Sequence, residues 1–300
     1  MFFSVIIPFK NSKDTIKWCV QSVINQNFPK DEYEIICVDN GSTDGSVSIL
    51  EKYKDNLRII ESGADTVSGV RNDGARVSNG EILAFLDSDC IVPAWWLKEA
   101  KRILTSHNVV ACGGEYDVNI GLEYAILWKN IHGYKSDGFV NWLPSGNLFV
   151  KRDIFISLGG FDEYLISSED VDFCIRLNNS GNKIYFSKEL NVVHLGEPKN
   201  MIDFFNKERW RGKGVLKLCL KHKGRIGLKP LFLAVYTLAY VILSIVFLLW
   251  KSKLGFLFLL LGFVPFIILA FKHKEISFLN KLRLSLLYFI YGLARAIAVV

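Results

Sequence analysis

Acidic residues run out well before this sequence ends. Beyond residue 229 the 300-residue chain holds a single carboxylate, Glu275, against seven Lys and Arg. Residues 199–229 carry ten basic residues and two acidic ones, whereas residues 1–198 carry nineteen basic and twenty-seven acidic. An acidic body joined to a basic, apolar tail points to anionic membrane lipids as the contact of the tail. Nucleic acid is not expected as a partner, because the basic stretch runs directly into apolar segments. Paired cysteines are lacking too. The six are scattered with no CxxC, which argues against a zinc site or a disulfide framework and suits buried thiols in a reducing compartment. The apolar start, Met1 to Pro8, has no basic leader and no cleavage site, so it reads as a first strand and not as a signal peptide. The folded domain is therefore expected on the cytoplasmic side.

The first half alternates short apolar runs with amphipathic stretches. Residues 4–9, 34–38, 57–60 and 82–86 read as strands, and residues 14–26, 43–53 and 66–78 as the helices between them. Strands that are almost continuously apolar, each followed by a helix, predict an α/β fold with a mostly parallel sheet covered on both faces. In such sheets ligands bind beyond the carboxyl ends of the strands. Further on, residues 95–105 read as a helix, 109–113 and 146–150 as strands, 168–179 as a helix with acids in its first turn, and 192–195 as a late strand. Residues 121–141, rich in aromatics and glycine with no clear period, read as a cover or acceptor loop.

After residue 198 the character changes. Residues 199–229 mix aromatics with cations, as an interfacial segment would. Residues 230–250 are 21 in a row without a charge and residues 254–271 are 18; a bilayer core of about 30 Å needs roughly 20. Residues 284–300 form a third apolar run, broken by Arg295, which would snorkel, pair, or mark a helix lying in the interface. The expected organisation is a nucleotide-binding domain over 1–198, a basic interfacial segment over 199–229, and a membrane part over 230–300 with two or three helices near 230–250, 254–271 and 284–300. That arrangement predicts a multi-pass protein of the plasma (inner) membrane.

The chemistry-bearing residues follow strands. Asp87-Ser88-Asp89 comes directly after the run 82–86, and two carboxylates one residue apart at a strand end can hold Mg²⁺ or Mn²⁺ against a diphosphate. Asp39 follows another strand in Asp39-Asn40-Gly41-Ser42-Thr43; it can accept from a base N–H or simply cap the turn. Glu169, Asp170 and Asp172 crowd one helix start. Mutual repulsion could lift one of them into the range of a general base, and acids also favour that position in their own right. His194 on the late strand could approach a cation or pack as a core residue.

Taken in order, Ser4-Val5-Ile6-Ile7-Pro8-Phe9-Lys10-Asn11, Val38 to Asp44, Val70-Arg71-Asn72, Phe85 to Asp89, Gly159 to Glu163 and Ser168 to Asp172 resemble glycosyltransferase family two with its GT-A fold. The similarity spans about residues 3–215 and resides in the ordered set, not in any one piece. It implies that Pro8, Phe9 and Asn11 line a nucleoside pocket with Asp39 on the base. Arg71 and Ser88 would lie near the diphosphate. Asp87 and Asp89 would form the metal motif, with His194 a further candidate ligand. Asp170 would be the base of an inverting transfer. From their own position, Glu169 would position the acceptor or hold the loop, and Asp172 would tie the helix down or stand near the acceptor. Lys10 stands where many members carry an aromatic, and Cys90 where a third acid is frequent. Asn206-Lys207-Glu208-Arg209-Trp210 resembles the QxxRW motif of membrane-bound polysaccharide synthases. Arg209 could clamp a diphosphate and Trp210 face an acceptor sugar, or the pair could anchor an interfacial helix.

The function implied is metal-dependent transfer of a sugar from a nucleoside diphosphate, uridine the expected base, to a hydroxyl of a lipid-linked glycan or polysaccharide acceptor. Two alternatives stay open: transfer onto polyprenyl phosphate, which needs no base, and a non-catalytic nucleotide-binding membrane scaffold. A dinucleotide oxidoreductase is disfavoured, because Pro8-Phe9-Lys10-Asn11 stands where GxGxxG would be required.

Overall fold

A computed structural model describes residues 1–117, 136–224, 226–249, 253–273 and 276–299. The described residues divide into two compact units, one ending at Glu197 and one beginning at Pro198. The first unit opens with β1 (Phe3–Phe9), α1 (Ile16–Ile24), β2 (Tyr33–Asp39), α2 (Ser46–Leu50), β3 (Arg58–Glu61), α3 (Val67–Arg76), β4 (Ile82–Leu86) and β5 (Cys90–Ile91). It continues with α4 (Trp96–Ser106), β6 (Ala111–Gly113), β7 (Tyr116–Asp117), β8 (Gly138–Val140), β9 (Asn147–Lys151), α5 (Arg152–Ser157), α6 (Glu169–Asn179), β10 (Ile184–Phe186) and β11 (Val192–His194).

Side-chain parity builds the core. Val5, Ile7, Ile35, Cys37, Ala84 and Leu86 enter one apolar cluster, while Ile6, Ile36, Val38, Leu83 and Phe85 enter another. Strands apolar at every position are satisfied only when both faces are covered. α1 covers the first face with Ile16, Cys19, Val20 and Val23, and α3 covers the second with Val70 and Ala75. Each such Ile, Leu or Phe stabilises the fold by roughly 1.5–3 kcal/mol.

The main sheet runs β3-β2-β1-β4-β9-β6-β10-β8. Its β3-β2-β1-β4 half is parallel, with Phe9 beside Asp39 and Ile6 beside Phe85. Beyond β4 the sheet is mixed: β9 is antiparallel to β4 and β6, β10 is parallel to β6, and β8 is antiparallel to β10. The parallel sheet expected from sequence thus describes one half. Strand direction is set by how the chain connects, and a run such as Asn147–Lys151 looks the same either way. A second sheet, β5-β11-β7, sets His194 opposite Cys90 and Val192 opposite Tyr116. Most of the stretch 121–141 expected as an acceptor loop, Trp128 included, lies outside the described residues.

The second unit contains α7 (Met201–Gly212), α8 (Val215–Lys221), α9 (Leu228–Leu249), α10 (Lys253–Phe271) and α11 (Phe278–Val299). Asn200 caps α7, its side chain accepting from the Ile202 and Asp203 N–H groups. Among the described residues, α9 is the one helix long and apolar enough to cross a membrane, and Phe232, Val235, Ile242, Ile245 and Leu248 stand exposed along it. The two or three crossings expected from sequence are not matched by the other helices. The apolar part of α10 among described residues is Leu260–Phe271, and α11 carries Lys281, Arg283 and Arg295. Of the three outcomes open to Arg295, the structure shows pairing. Arg295 is buried, with Nη2 2.7 Å from Glu208 Oε2 on α7 and its guanidinium 4.8 Å from the Tyr291 ring. The basic stretch is accordingly two helices, and Glu208, buried, ties the first of them to α11.

Candidate active site

The carboxyl ends of β1, β2 and β4 lie side by side, so the loops that follow them meet at one edge. There, side chains stitch the loops together. Asn11, in the left-handed region at φ 52°, donates its N–H to Ser42 Oγ at 3.0 Å and accepts the Thr43 N–H on Oδ1 at 2.8 Å. The Ser12 and Ser88 hydroxyls lie 2.9 Å apart, linking the β1 loop to Asp87-Ser88-Asp89. Asp39 is buried at the end of β2 and accepts the Ser42 N–H on Oδ1 at 3.0 Å. Pro8 is buried, and Phe9 is part of the apolar core. Of the residues expected around a nucleoside, Phe9 packs into the core and Asn11, exposed, ties the β1 and β2 loops together by hydrogen bonds. Asp39 sits at the edge itself.

Arg71 is buried. It projects from α3 with 4% of its side chain exposed, Nη2 2.6 Å from Asp87 Oδ1 and Nη1 2.9 Å from Glu169 Oε1. Burial disfavours its charge, but Asp87 and Glu169 outweigh that and hold the guanidinium firmly protonated. Each terminal nitrogen meets one carboxylate, so Arg71 bridges the end of β4 to α6. Nε is left without a hydrogen-bond partner. Asp87 Oδ2 receives the Tyr116 hydroxyl at 3.3 Å. Gly146 underlies this group, since a Cβ there would fall on Asp87 Oδ2 and the Tyr116 hydroxyl.

Asp89 is as open as Asp87, with 30% of its side chain exposed against 28%, and its Oδ1 lies 3.3 Å from His194 Nε2. The second sheet makes this approach: β11 pairs with β5, and the Leu195 N–H donates to the Asp89 carbonyl at 2.8 Å. Gly196 completes it, because a Cβ at 196 would fall on Asp89 Oδ2. Burial lowers the affinity of the His194 ring for a second proton, yet Asp89 and Glu197 more than offset it and lift the pKa to about 9. Tyr116 lies against the ring with centroids 4.6 Å apart.

A divalent cation suits this set. One ligand atom each from Asp89, Cys90 and His194 lie within 4.8 Å of one another. The Cys90 thiol is a poor member, because burial pushes its pKa well up and a neutral thiol does not suit a hard cation. A carboxylate and an imidazole remain, and the two glycines leave the space that side chains would fill. Carboxylate oxygen suits Mg²⁺ or Mn²⁺, and the added nitrogen ligand favours Mn²⁺ of the two.

The acids of α6 separate by surroundings. Ser168, in the left-handed region at φ 67°, turns the chain into the helix. Glu169 is buried on Arg71 and accepts the Ser145 hydroxyl at 2.9 Å. Asp170, partly exposed, accepts the Val171 N–H; burial first and Glu169 second raise its pKa to about 7. Asp172, expected near the acceptor, is fully buried and lies 2.8 Å from Arg176, which donates to the Leu158 and Gly160 carbonyls. Through Arg176 it anchors the Gly159-Gly160 turn to the helix. Arg209 and Trp210 are exposed on α7, in the second unit.

Three residues of the first unit escaped the sequence reading: Tyr116, Ser145 and Glu197. The first two carry no local signal. Glu197 has a faint one, an acid three residues after a lone histidine with a glycine between.

The family model described as Glycosyl transferase family 2 matches residues 4–153. Glycosyltransferase AglE of Haloferax volcanii is 32% identical over 240 residues, covering 77% of this chain and 78% of that protein. The crystal structure of Staphylococcus aureus TarS residues 1–349 in complex with UDP-GlcNAc superposes with a TM-score of 0.53 at 24% identity, covering 72% of this chain and 67% of the other. The mannosyltransferase PcManGT from Pyrobaculum calidifontis, in complex with GDP-Man and Mn²⁺, superposes with a TM-score of 0.66 at 18% identity, over 98% of this chain and 86% of that one. These two structures share the fold.

Proposed function

Because the chain belongs to glycosyltransferase family 2, we propose that it catalyses an inverting, cation-dependent transfer of a sugar from a nucleoside diphosphate to a hydroxyl of a membrane-associated or lipid-linked glycan. The observation that carries this reading is a division of labour within one unit. Asp89 and His194 form an oxygen–nitrogen pair able to hold a cation, and Asp170 is a carboxylate whose pKa of about 7 suits a general base. The donor complexes of TarS and PcManGT support a nucleotide sugar, and the Mn²⁺ in the latter supports the cation. Uridine is the expected base, with Asp39 its hydrogen-bond partner.

In this reading Asp170 accepts the proton of the acceptor hydroxyl as that oxygen bonds to the anomeric carbon and the bond to the diphosphate breaks. Asp89 and His194 would hold the cation, which neutralises charge on the departing diphosphate. Glu169 fixes the base loop through Arg71. A membrane-bound acceptor is supported by the outward apolar side chains of α9 and by a cavity of about 1220 Å³ in the second unit, lined by Lys229, Leu231, Tyr236, Pro265, Ile268 and Tyr288. An apolar hollow with a cation on its wall also suits a polyprenyl phosphate acceptor, which is the second reading.

The test is a donor panel with membranes containing wild type, Asp89→Ala and Asp170→Asn. Cation-dependent release of nucleoside diphosphate from one donor, lost in Asp89→Ala, is expected. Release from no donor, with lipid acceptors supplied, would refute the enzyme reading. Full activity of Asp170→Asn on a phosphate acceptor would move the assignment to the second reading.

A further inference from the structure

We infer that Glu197 is a positioning residue, a buried carboxylate that fixes the His194 ring so that Nε2 faces Asp89 and the cation. The inference rests on the reading that Asp89 and His194 hold that cation.

An imidazole has two nitrogens, and what one binds decides what the other can do. Glu197 Oε1 lies 3.1 Å from His194 Nδ1, and His194 Nε2 lies 3.3 Å from Asp89 Oδ1. With Nδ1–H donated to Glu197, a cation that displaces the proton of Nε2 meets a lone pair already facing Asp89, the form a metal requires. The ring has little freedom to turn away. Tyr116 lies against it, and β5 holds the backbone of His194 opposite Cys90. Past Leu195 the chain folds back tightly enough that a Cβ on Gly196 would come within 3.1 Å of His194 Cε1.

The charge of Glu197 is the feature that needs a cause. Its side chain is 1% exposed, and Oε2 has no hydrogen-bond partner. A neutral acceptor would make the same bond to Nδ1 without burying a carboxylate. Asp89 and Glu197 together bring two negative charges to one imidazole. A dication between Asp89 and the ring would offset that excess, and a carboxylate on Nδ1 makes the ring a stronger donor to it.

Mn²⁺ alone, titrated into the full-length protein in detergent and followed by the EPR signal of free ion, separates these roles, with melting temperature and cation-free UDP binding measured on the same samples. Glu197→Ala is expected to weaken Mn²⁺ binding about 10–100-fold. Glu197→Gln, which keeps an oxygen for Nδ1, is expected to fall between Glu197→Ala and wild type. Cation-free UDP binding should stay unchanged in both. Wild-type Mn²⁺ affinity in Glu197→Ala, whatever its melting temperature, would overturn the inference and leave the cation reading intact. Absence of Mn²⁺ binding in the wild type would overturn both. Should Glu197→Ala fail to fold, Glu197→Gln decides through ¹⁵N NMR of the His194 ring in Mg²⁺: a mixture of tautomers against a single Nδ1–H form in wild type supports positioning, and identical spectra refute it.

Discussion

Asp170 lies beside the charge of Glu169, whose own Oε1 is held 2.9 Å from Arg71 Nη1. Burial, and then this neighbour, push the Asp170 carboxyl up to about 7. A general base must be deprotonated to work, so kcat/KM should climb with pH through about 7 and fall away on the acid side. Glu169→Gln removes the neighbouring charge, so the midpoint should move to lower pH. Asp170→Asn should lose roughly 10²–10⁴-fold in rate and flatten the acid limb. A pH–rate profile of the three proteins with a hydroxyl acceptor checks all of this; an acid limb that Glu169→Gln leaves in place would detach it from Asp170.

Gly146 and Gly196 admit the two acids of Asp87-Ser88-Asp89. At each position the atom a Cβ would strike first is the far end of an aspartate; Asp89 can rotate aside at little cost to the fold, whereas Asp87 is held 2.6 Å from the buried Arg71. Gly196→Ala should therefore melt close to wild type, and Gly146→Ala, which pushes Asp87 off Arg71, should melt lower. A displacement of about 1 Å in a reacting group can cost on the order of 10²-fold, and a loss of that order in kcat/KM is expected for both. Gly196→Ala, which displaces Asp89, should also weaken Mn²⁺ binding more than Gly146→Ala does. Equal Mn²⁺ affinity in the two variants would count against Asp89 as the acid on the cation.

How much of this was readable beforehand depends on whether a signal is local. The runs around Val5, Ile36 and Phe85 announce doubly covered strands, because each is short, almost continuously apolar and followed by an amphipathic stretch. Asp39, Asp87 and Asp89 are legible because each follows such a run. The mixed half of the sheet is not, since pairing direction leaves no mark on a run such as Asn147–Lys151. Arg71 was placed near a diphosphate, but its two carboxylate partners are 16 and 98 residues away in the chain and cannot be paired by spacing. Tyr116 and Glu197 acquire meaning only when β7 and β11 join β5.

Arg71 itself offers a stability test. Its guanidinium is the shared counter-charge of Asp87 and Glu169, and removing one partner of a buried ion pair leaves the rest uncompensated. Arg71→Met should lower stability by about 3–5 kcal/mol. Arg71→Lys keeps a charge but has one nitrogen where two are needed, and should recover only part of that loss. Chemical denaturation of the three proteins at neutral pH gives the comparison. A methionine variant as stable as wild type would show that the bridge does not hold β4 to α6.

The same rule governs the second unit, with a different consequence for the membrane reading. Glu208, with no exposed side-chain surface, takes Arg295 on Oε2 and Arg211 on Oε1, each at 2.7 Å. Arg295→Leu should destabilise the helices by about 3–5 kcal/mol, because it strips a buried carboxylate of its buried partner. Glu208→Leu combined with Arg295→Leu removes both charges and should recover most of the loss, since an apolar pair of similar volume replaces an ion pair at little net cost. Thermal melting in detergent, read as a double-mutant cycle, measures the coupling. Additive losses in the two single variants would mean that Glu208 and Arg295 do not share one interaction. Arg295 would then be free to serve as an interfacial anchor, and α11 would have no charged tie to α7.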